Sequence, residues 1–468
     1  MILAFASFLS SALNFPIRAF ASFLGRIVPN PKARIFFIER SKDHFTQQLN
    51  FARRTKTEAI KHDSPTIFWL HVSSAGELEQ VIPVMRTLHE RLSVRFFVTY
   101  FSPSTKPFLK NCPGIMGSTS LPAEDKDAYT QIIGELNISR LLLVRYDFWP
   151  TLIHTAKKKN VPIAVLAATL ARARSILPDN LQTLSKLFWF KHADLLFLVS
   201  EKDKTRLVEL DFSPEITIVS GDAKWARAKE RAQIQKEQAQ STALQLVLSH
   251  LVSGPKSEKR KTLIFGSPHE DELLILKWCL EQFTTPCLFV VAPAEVDEKT
   301  LSKLEQGLDL RAAQSMRLSD MERSLDALPL VDENNHTVLI LDSFGQLAAA
   351  YAEADCAIVG GGFDGQLHNV LEPAAYPVLT LFGNQTGRAP EAQILLDHNA
   401  AISFVKPDAM FDLLRRWSSL SNRGVGRSPN CPEFEHTLKG AQRLFGSLPN
   451  TSEVICRAIA HRHKLEIG

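Results

Sequence analysis

Residues 66–77 read TIFWLHVSSAGE, and this stretch predicts how the chain folds. Its first half is a short apolar run that ends in a Ser-Ser-Ala-Gly turn, as expected of a strand buried in a parallel sheet. Residues 78–91 follow with the spacing of an amphipathic helix. Because parallel strands are joined by helical crossovers, this order predicts a β-α-β unit and an α/β fold class.

The same alternation recurs twice along the chain, on either side of a polar interruption. Residues 230–261 are rich in Gln and Lys and predict a helix followed by a linker. We therefore predict one α/β domain over residues 62–229, a second over 262–437, and closing helices over 438–468. The predicted strands are residues 66–72, 95–99, 140–144, 163–167, 195–199 and 216–219, then 262–265, 287–291, 338–341, 357–359 and 378–381.

Length and composition agree with two folded domains. The chain has 468 residues, of which 45% are hydrophobic and 22% charged, which excludes a disordered chain or a polytopic membrane protein. Its six cysteines show no C-x-x-C spacing and are too sparse for a disulfide scaffold, so a reducing compartment fits best.

The N-terminal segment, residues 1–61, differs from the rest in charge. It carries ten basic and three acidic side chains, a net +7, whereas the remainder of the chain sums to −3. Residues 1–16 are uncharged but too short and polar for a confident span. We predict a membrane-associated helical segment that lies on anionic headgroups. A solvated basic arm and a cleaved signal peptide are the alternatives.

Two carboxylates that follow predicted strands are candidates for a chemical role. Glu77 stands at the turn after the first strand, where a carboxylate can take a proton from an attacking hydroxyl. The alternative is that Glu77 only favours the N-terminus of the next helix electrostatically. Glu372 follows the glycine run of residues 360–362 and is suited to accept hydrogen bonds from sugar hydroxyls.

Residues 360–362 come directly after a buried strand, so their backbone N–H groups can face a phosphate. A flexible loop with a charged cap is the alternative. Ser267 and His269 follow the first strand of the second domain, and Lys224 closes the first domain. Each is a candidate phosphate contact, with a helix cap or a surface residue as the alternative. Metal-ligand spacing, a P-loop and a G-x-S-x-G turn are absent from the sequence, so we expect neither a metal nor a cofactor.

Taken in order, these segments resemble the 3-deoxy-D-manno-octulosonic acid (Kdo) transferases, glycosyltransferases of the GT-B fold. Single pieces are weak, but their order is specific. The resembling pieces are residues 71–77 (HVSSAGE), 147–150 (DFWP), 168–175 (ATLARARS), 203 with 206, 221–224 (GDAK), 267 with 269, 342–345 (DSFG), 360–361 (GG) and 368–374 (HNVLEPA).

The resemblance implies a function. It implies inverting, metal-independent transfer of Kdo from CMP-Kdo to a lipid A precursor, in lipopolysaccharide synthesis at the cytoplasmic face of the inner membrane. Two Rossmann-like domains would face a cleft, with the acceptor on residues 62–229 and the donor nucleotide on 262–437. No nucleic-acid partner is implied. By position, Glu77 resembles the general base. The donor contacts would be Ser267, His269, Gly360, Gly361, His368, Asn369, Glu372 and Lys224, and the acceptor side Ser74, Gly76, Asp147, Trp149 and Arg172.

The sequence also departs from the family pattern at four positions. Arg145 stands where the family has an acidic residue, and Ala294 and Glu295 stand where it has Arg-His after a strand. Gln346 replaces a Glu. Two alternatives therefore stay open: a catalytically inactive protein of the same fold that binds a membrane surface, and a nucleotide-sugar epimerase of similar build.

Overall fold

The structure is a computed structural model in which part of the chain is described. The described ranges are residues 42–60, 66–110, 112–122, 125–145, 147–170, 179–237, 242–252, 259–307, 313–325, 328, 332, 334–376, 378–387, 389–419 and 432–463. They divide into two compact units. The first comprises the described residues up to Arg227 together with those from Pro449 onward, and the second comprises those from Ala228 to Leu448.

Each unit contains one seven-stranded sheet in which all the paired strands are parallel. The first sheet consists of β1 (Ile67–Val72), β2 (Arg95–Tyr100), β3 (Ile115–Ser120), β4 (Ile138–Val144), β5 (Ile163–Ala168), β6 (Leu195–Leu198) and β7 (Thr217–Val219). The second consists of β8 (Lys261–Gly266), β9 (Cys287–Ala292), β10 (Ala313–Arg317), β11 (His336–Ile340), β12 (Cys356–Val359), β13 (Leu379–Gly383) and β14 (Ile402–Phe404).

Helices connect the strands in both units. Those up to the second sheet are α1 (Lys42–Ile60), α2 (Ala75–Leu92), α3 (Lys106–Leu109), α4 (Lys126–Leu136), α5 (Pro150–Lys158), α6 (Asp179–Phe190), α7 (Glu201–Glu209), α8 (Ala223–Glu237) and α9 (Ala243–Val252). The others are α10 (Glu270–Gln282), α11 (Glu298–Gly307), α12 (Leu318–Arg323), α13 (Leu347–Ala350), α14 (Leu371–Ala374), α15 (Pro390–Asp397), α16 (Phe411–Ser418), α17 (Pro432–Ser447) and α18 (Thr451–His463). Short 3-10 turns occur at Pro103–Thr105, Tyr351–Glu353 and Pro407–Met410.

The sheets are buried on both faces, which explains the continuous apolar runs. In β1, Phe68 and Leu70 pack into the hydrophobic cluster that contains α2, whereas Ile67 and Trp69 pack into the cluster on the opposite face. The second sheet repeats this pattern in β9 and its neighbours. Alternate side chains of one strand therefore enter different cores, as in an α/β protein with helices on both faces.

Both sheets have a point at which the strand order reverses. The first sheet has the order β3-β2-β1-β4-β5-β6-β7, and the second β10-β11-β9-β8-β12-β13-β14. In the first sheet, β2 and β3 lie on one side of β1, and the next strand in the chain, β4, pairs with its other side. In the second sheet, β9, β10 and β11 lie on one side of β8, and β12 pairs with its other side. In open parallel sheets the loops that follow such a pair of strands diverge and leave a crevice for ligands. The loops after β1 and β4, and after β8 and β12, are thus where a site is expected.

The predicted α/β fold class is confirmed, with two sheets of parallel strands. The predicted strands match observed ones to within two residues at either end. The predicted linker, residues 230–261, contains the end of α8, then α9, and the first residue of β8. Leu244, Val247, Leu248 and Leu251 of α9 are buried in a core of the second unit.

The predicted membrane-associated segment lies mostly outside the described residues. Within residues 1–61 the structure describes α1 alone. None of the helices in the described ranges combines the length and apolar character that crossing a bilayer requires.

Candidate active site

Glu77 and Asp147 lie at the reversal point of the first sheet, in the loops after β1 and β4. Ser74 is the N-cap of α2, and its hydroxyl accepts the N–H of Glu77 at 3.4 Å. The cap places Glu77 in the first turn of the helix, beside the carboxyl end of β1. Ser73 joins the two carboxylates: its backbone N–H donates to Glu77 Oε2 at 2.6 Å, and its hydroxyl donates to Asp147.

The environment moves the pKa values of these two carboxyl groups in opposite directions. Burial raises the pKa of Glu77, and the negative charge of Asp147 raises it further, against the opposing hydrogen bond from Ser73. Burial also disfavours ionised Asp147, but its hydrogen bonds with His71 and Ser73 outweigh burial and lower its pKa. Pairs of carboxyl groups separated in this way divide the roles in acid–base catalysis. Glu77 is the group suited to take up a proton.

His71 anchors Asp147 from within the sheet. It belongs to β1 and is fully buried, and its Nε2 lies 2.8 Å from Asp147 Oδ2. Its Nδ1 lies 2.9 Å from Thr99 Oγ1, which also accepts a hydrogen bond from Trp69 Nε1 at 2.8 Å. This chain of hydrogen bonds holds the Asp147 carboxylate at the carboxyl end of β1.

The predicted acceptor-side residues gather at the same place, as far as the structure describes them. The ring of Trp149 packs edge-on against His71, with centroids 6.1 Å apart, and lies 5.5 Å from the ring of Phe101. Gly76 is exposed, and a Cβ built on it has nothing within 4 Å, so the turn beside Glu77 has open space. Arg172 lies outside the described residues.

The basic departure at Arg145 is neutralised within the first unit. Arg145 follows β4 in a left-handed conformation, with φ of 60°. Its Nη2 lies 3.3 Å from both carboxylate oxygens of Asp222, and its Nε donates to Gln80 at 3.3 Å. Asp222 also accepts the backbone N–H of Lys224 at 2.9 Å. Lys224, a predicted donor contact, thus belongs to the first unit, whereas the other predicted donor contacts belong to the second.

The glycine run after β12 packs against backbone. A Cβ on Gly360 would overlap the carbonyl of Ser267, and one on Gly362 would overlap Gly383. Gly361 has φ of +79°, which side chains rarely adopt. Each of the three glycines is therefore required by packing or conformation. The helix that follows, α14, has only four residues. That the backbone N–H groups of residues 360–362 bind a phosphate stays a prediction.

Two histidines and an aspartate meet at the reversal point of the second sheet. His269 Nδ1 lies 2.6 Å from Asp364 Oδ2, and His269 Nε2 lies 3.1 Å from His368 Nε2. Burial lowers the pKa of His368, and the neighbouring His269 lowers it further. In a hydrogen bond between the two facing Nε2 atoms, one ring donates and the other accepts, as two neutral imidazoles can do. The structure thus brings His269 and His368 together, and their role as donor contacts stays a prediction.

A cavity of about 220 Å³ lies entirely within the second unit, and Ser267, on the same loop as His269, lines it. Glu372 lines it and forms an ion pair with Arg231 Nη1 at 2.6 Å. Asn369 lies on the adjoining loop, where its Oδ1 accepts the N–H of Leu371 at 3.1 Å. The other lining residues are Arg231, Ser267, Ala292, Pro293, Ala294, Val296, Leu341, Ser343, Phe344, Gly345, Leu347 and Ala348.

Sequence reasoning missed three of these residues. His71 lies inside an apolar strand and reads as a core residue, while Asp364 lies in a loop where acidic residues are common. Arg231 is one of many basic residues around the predicted linker, and its partner Glu372 is 141 positions away. Only the fold brings these groups to the sites.

Comparisons with known proteins identify the kind of enzyme. A family model described as 3-deoxy-D-manno-octulosonic-acid transferase (kdotransferase) matches residues 43–227. A 3-deoxy-D-manno-octulosonic acid transferase of Rickettsia felis is 24% identical over 356 residues, which cover 72% of this chain and 68% of the relative. The transferase of the same name from Aquifex aeolicus is 23% identical, over 71% of this chain and 80% of the relative.

The fold is similar to that of a solved UDP-GlcNAc 2-epimerase from Neisseria meningitidis. The TM-score is 0.57 and the sequence identity 11%, with 85% of this chain and 100% of the epimerase covered. At that identity the likeness concerns the fold alone.

The chain is therefore an enzyme of the glycosyltransferase class, as predicted. Within that class, the two relatives described above are Kdo transferases, and the resemblance inferred from the ordered motifs is confirmed.

Proposed function

We propose that this enzyme transfers Kdo from CMP-Kdo to a hydroxyl of a lipid A precursor, in lipopolysaccharide synthesis. The GT-B architecture, inversion at the anomeric carbon and independence of a metal are parts of the proposal. So is its location at the cytoplasmic face of the inner membrane, with residues 1–61 on anionic lipid. The names of the relatives support Kdo as the transferred sugar.

One observation carries the chemistry: a partly buried Glu77 with a raised pKa, next to an Asp147 with a lowered one. A general base works best when its pKa approaches the pH at which it operates. Ordinary glutamates are too acidic for this, so the burial of Glu77 serves the reaction. The open space at Gly76 leaves room for an acceptor hydroxyl beside the carboxylate.

The proposed reaction is a single displacement. The acceptor hydroxyl oxygen attacks the anomeric carbon of Kdo while its proton passes to Glu77. The bond between that carbon and the phosphate oxygen breaks, and the electron pair leaves with CMP. Attack opposite to the leaving phosphate inverts the configuration. Hydrogen-bond donors and cations in the donor site stabilise the charge on the departing phosphate.

The test is E77Q in the full-length protein, assayed for Kdo transfer to a lipid A precursor. Glutamine keeps the shape and accepts the Ser73 N–H, but it takes up no proton. We expect transfer to fall by at least about 100-fold, the usual contribution of a general base, with CMP-Kdo binding unchanged. The matched control is E90Q, on the exposed end of the same helix, which should transfer at the wild-type rate. Wild-type rates for a folded E77Q would contradict the assignment of the base.

A further inference from the structure

The cavity of the second unit has two charged side chains in its lining, Arg231 and Glu372, and they bind each other. Arg231 lies on α8 and Glu372 on α14. Their side chains are 25% and 18% exposed, so the pair is partly withdrawn from water but can be reached from the cavity. Ser267, Ser343, Gly345 and apolar residues form the rest of the lining.

Glu372 occupies a place in which a negative charge needs a counter-charge. Its neighbours Leu371 and Pro373 are buried, as are Tyr351 and Tyr376, which interact electrostatically with its charge. Burial raises the pKa of both tyrosines, and the charge of Glu372 raises it further. A partly buried carboxylate without a cation is costly. Arg231 supplies that cation when the cavity holds no ligand.

An anionic ligand in the cavity would meet Glu372 and would need a cation of its own. The loop after β9 has Ala294 in the lining and an exposed Glu295, at the position where the family pattern has Arg-His. Within the lining, Arg231 is the residue that carries positive charge. A guanidinium has five N–H donors in a planar fork, and this geometry fits both a phosphate and a carboxylate.

We propose that Arg231 binds the phosphate of the donor nucleotide and replaces the cation that is absent at Ala294. This inference rests on the proposed function, because it assumes that the cavity holds the donor. The phosphate competes with Glu372 for the guanidinium. When the guanidinium turns to the phosphate, the Glu372 carboxylate becomes available to ribose hydroxyls. Arg231 is thus a specificity residue that distinguishes a nucleotide from a nucleoside.

The test compares nucleotide with nucleoside by calorimetry on the full-length protein. CMP is titrated against cytidine, and UMP against uridine, into the wild type, R231A, R231K and K229M. We expect R231A to weaken CMP binding by about tenfold to a hundredfold, as for a lost hydrogen bond to a charged group, and to leave cytidine within twofold. R231K should be intermediate, since it keeps the charge without the fork. K229M removes a charge from the same helix and should match the wild type.

If R231A weakens CMP and cytidine equally, or neither, Arg231 only positions Glu372 and the inference is overturned. If R231A does not fold, R231K gives the same comparison, and an unchanged preference for CMP over cytidine in a folded R231K overturns the inference. A wild type that binds UMP over uridine but not CMP contradicts the proposed donor, while R231A then tests Arg231 on UMP. A wild type that binds none of the four overturns both proposals.

Discussion

At the scale of single residues, Ser73 links the two carboxylates of the first unit. Through its backbone N–H and its hydroxyl it fixes Glu77 and Asp147 in one arrangement. Sequence placed both residues after strands, where catalytic groups are expected, but it gave no sign of their opposite pKa shifts. Those shifts depend on burial and on His71, a contact between side chains that only the folded sheet creates.

The raised pKa of Glu77 predicts the pH dependence of transfer. As pH falls through that pKa, Glu77 is protonated and cannot accept the acceptor's proton, so kcat/KM should fall on the acidic side. The midpoint of this acidic limb of the pH profile should lie above the ordinary pKa of a glutamate, about 4.3. D147N removes a negative charge that raises the pKa of Glu77, so the acidic limb of the pH profile should move to lower pH in this variant. An unmoved limb in a folded D147N would contradict this coupling.

At the scale of elements, the strands inside the sheets could be predicted and three at the edges could not. β3, β10 and β14 are edge strands, with sequences such as Gln-Ser-Met in β10. The residues of β10 and β14 are only partly buried, so they lack the apolar run that marks an interior strand. β7 is also an edge strand, but its Thr-Ile-Val sequence was recognised.

The glycine run after β12 predicts a sharp contrast between two substitutions. In G360A the new Cβ would overlap the backbone of Ser267, so β12 and the loop after β8 must separate. We expect a loss of about 1–3 kcal/mol in the free energy of unfolding. G134A, on the exposed face of α4 with nothing within 4 Å, should instead add about 0.5–1 kcal/mol, because alanine favours a helix. Urea unfolding of both variants measures this, and a neutral G360A would contradict the close packing.

At the scale of the whole molecule, the last helix returns to the first unit. Sequence predicted closing helices over 438–468 but could not assign them to a unit, because an amphipathic pattern does not name its partner. The structure buries Ile455 and Ile459 of α18 in the same cluster as Leu78 and Val81 of α2. The core between the first sheet and α2 therefore includes side chains of α18.

Removing one of these side chains should weaken the first unit. Ile459 is fully buried, and I459A should lower the free energy of unfolding by about 2–5 kcal/mol through lost burial and a cavity. The matched control is I394A on α15, where the isoleucine is 39% exposed and should cost less than about 1 kcal/mol. Equal costs in denaturant unfolding would mean that α18 does not contribute to this core.

The charge of residues 1–61 predicts binding to anionic lipid. The segment is +7 while the rest of the chain is −3, so attraction to negative headgroups concentrates there. The full-length protein should co-sediment with vesicles that contain phosphatidylglycerol more than with neutral vesicles. Raising the salt to 1 M should reduce that difference, because the Debye length falls to about 3 Å. Equal binding to both kinds of vesicle at low salt would contradict the electrostatic attraction.

The most direct test of the account is mass spectrometry of a lipid A precursor after incubation with the full-length protein and CMP-Kdo. The account predicts that the lipid gains the mass of Kdo, that CMP is released in equal amount, and that neither occurs when UDP-sugars replace the donor. A folded protein that adds no Kdo to the lipid, or that adds another sugar instead, would contradict it.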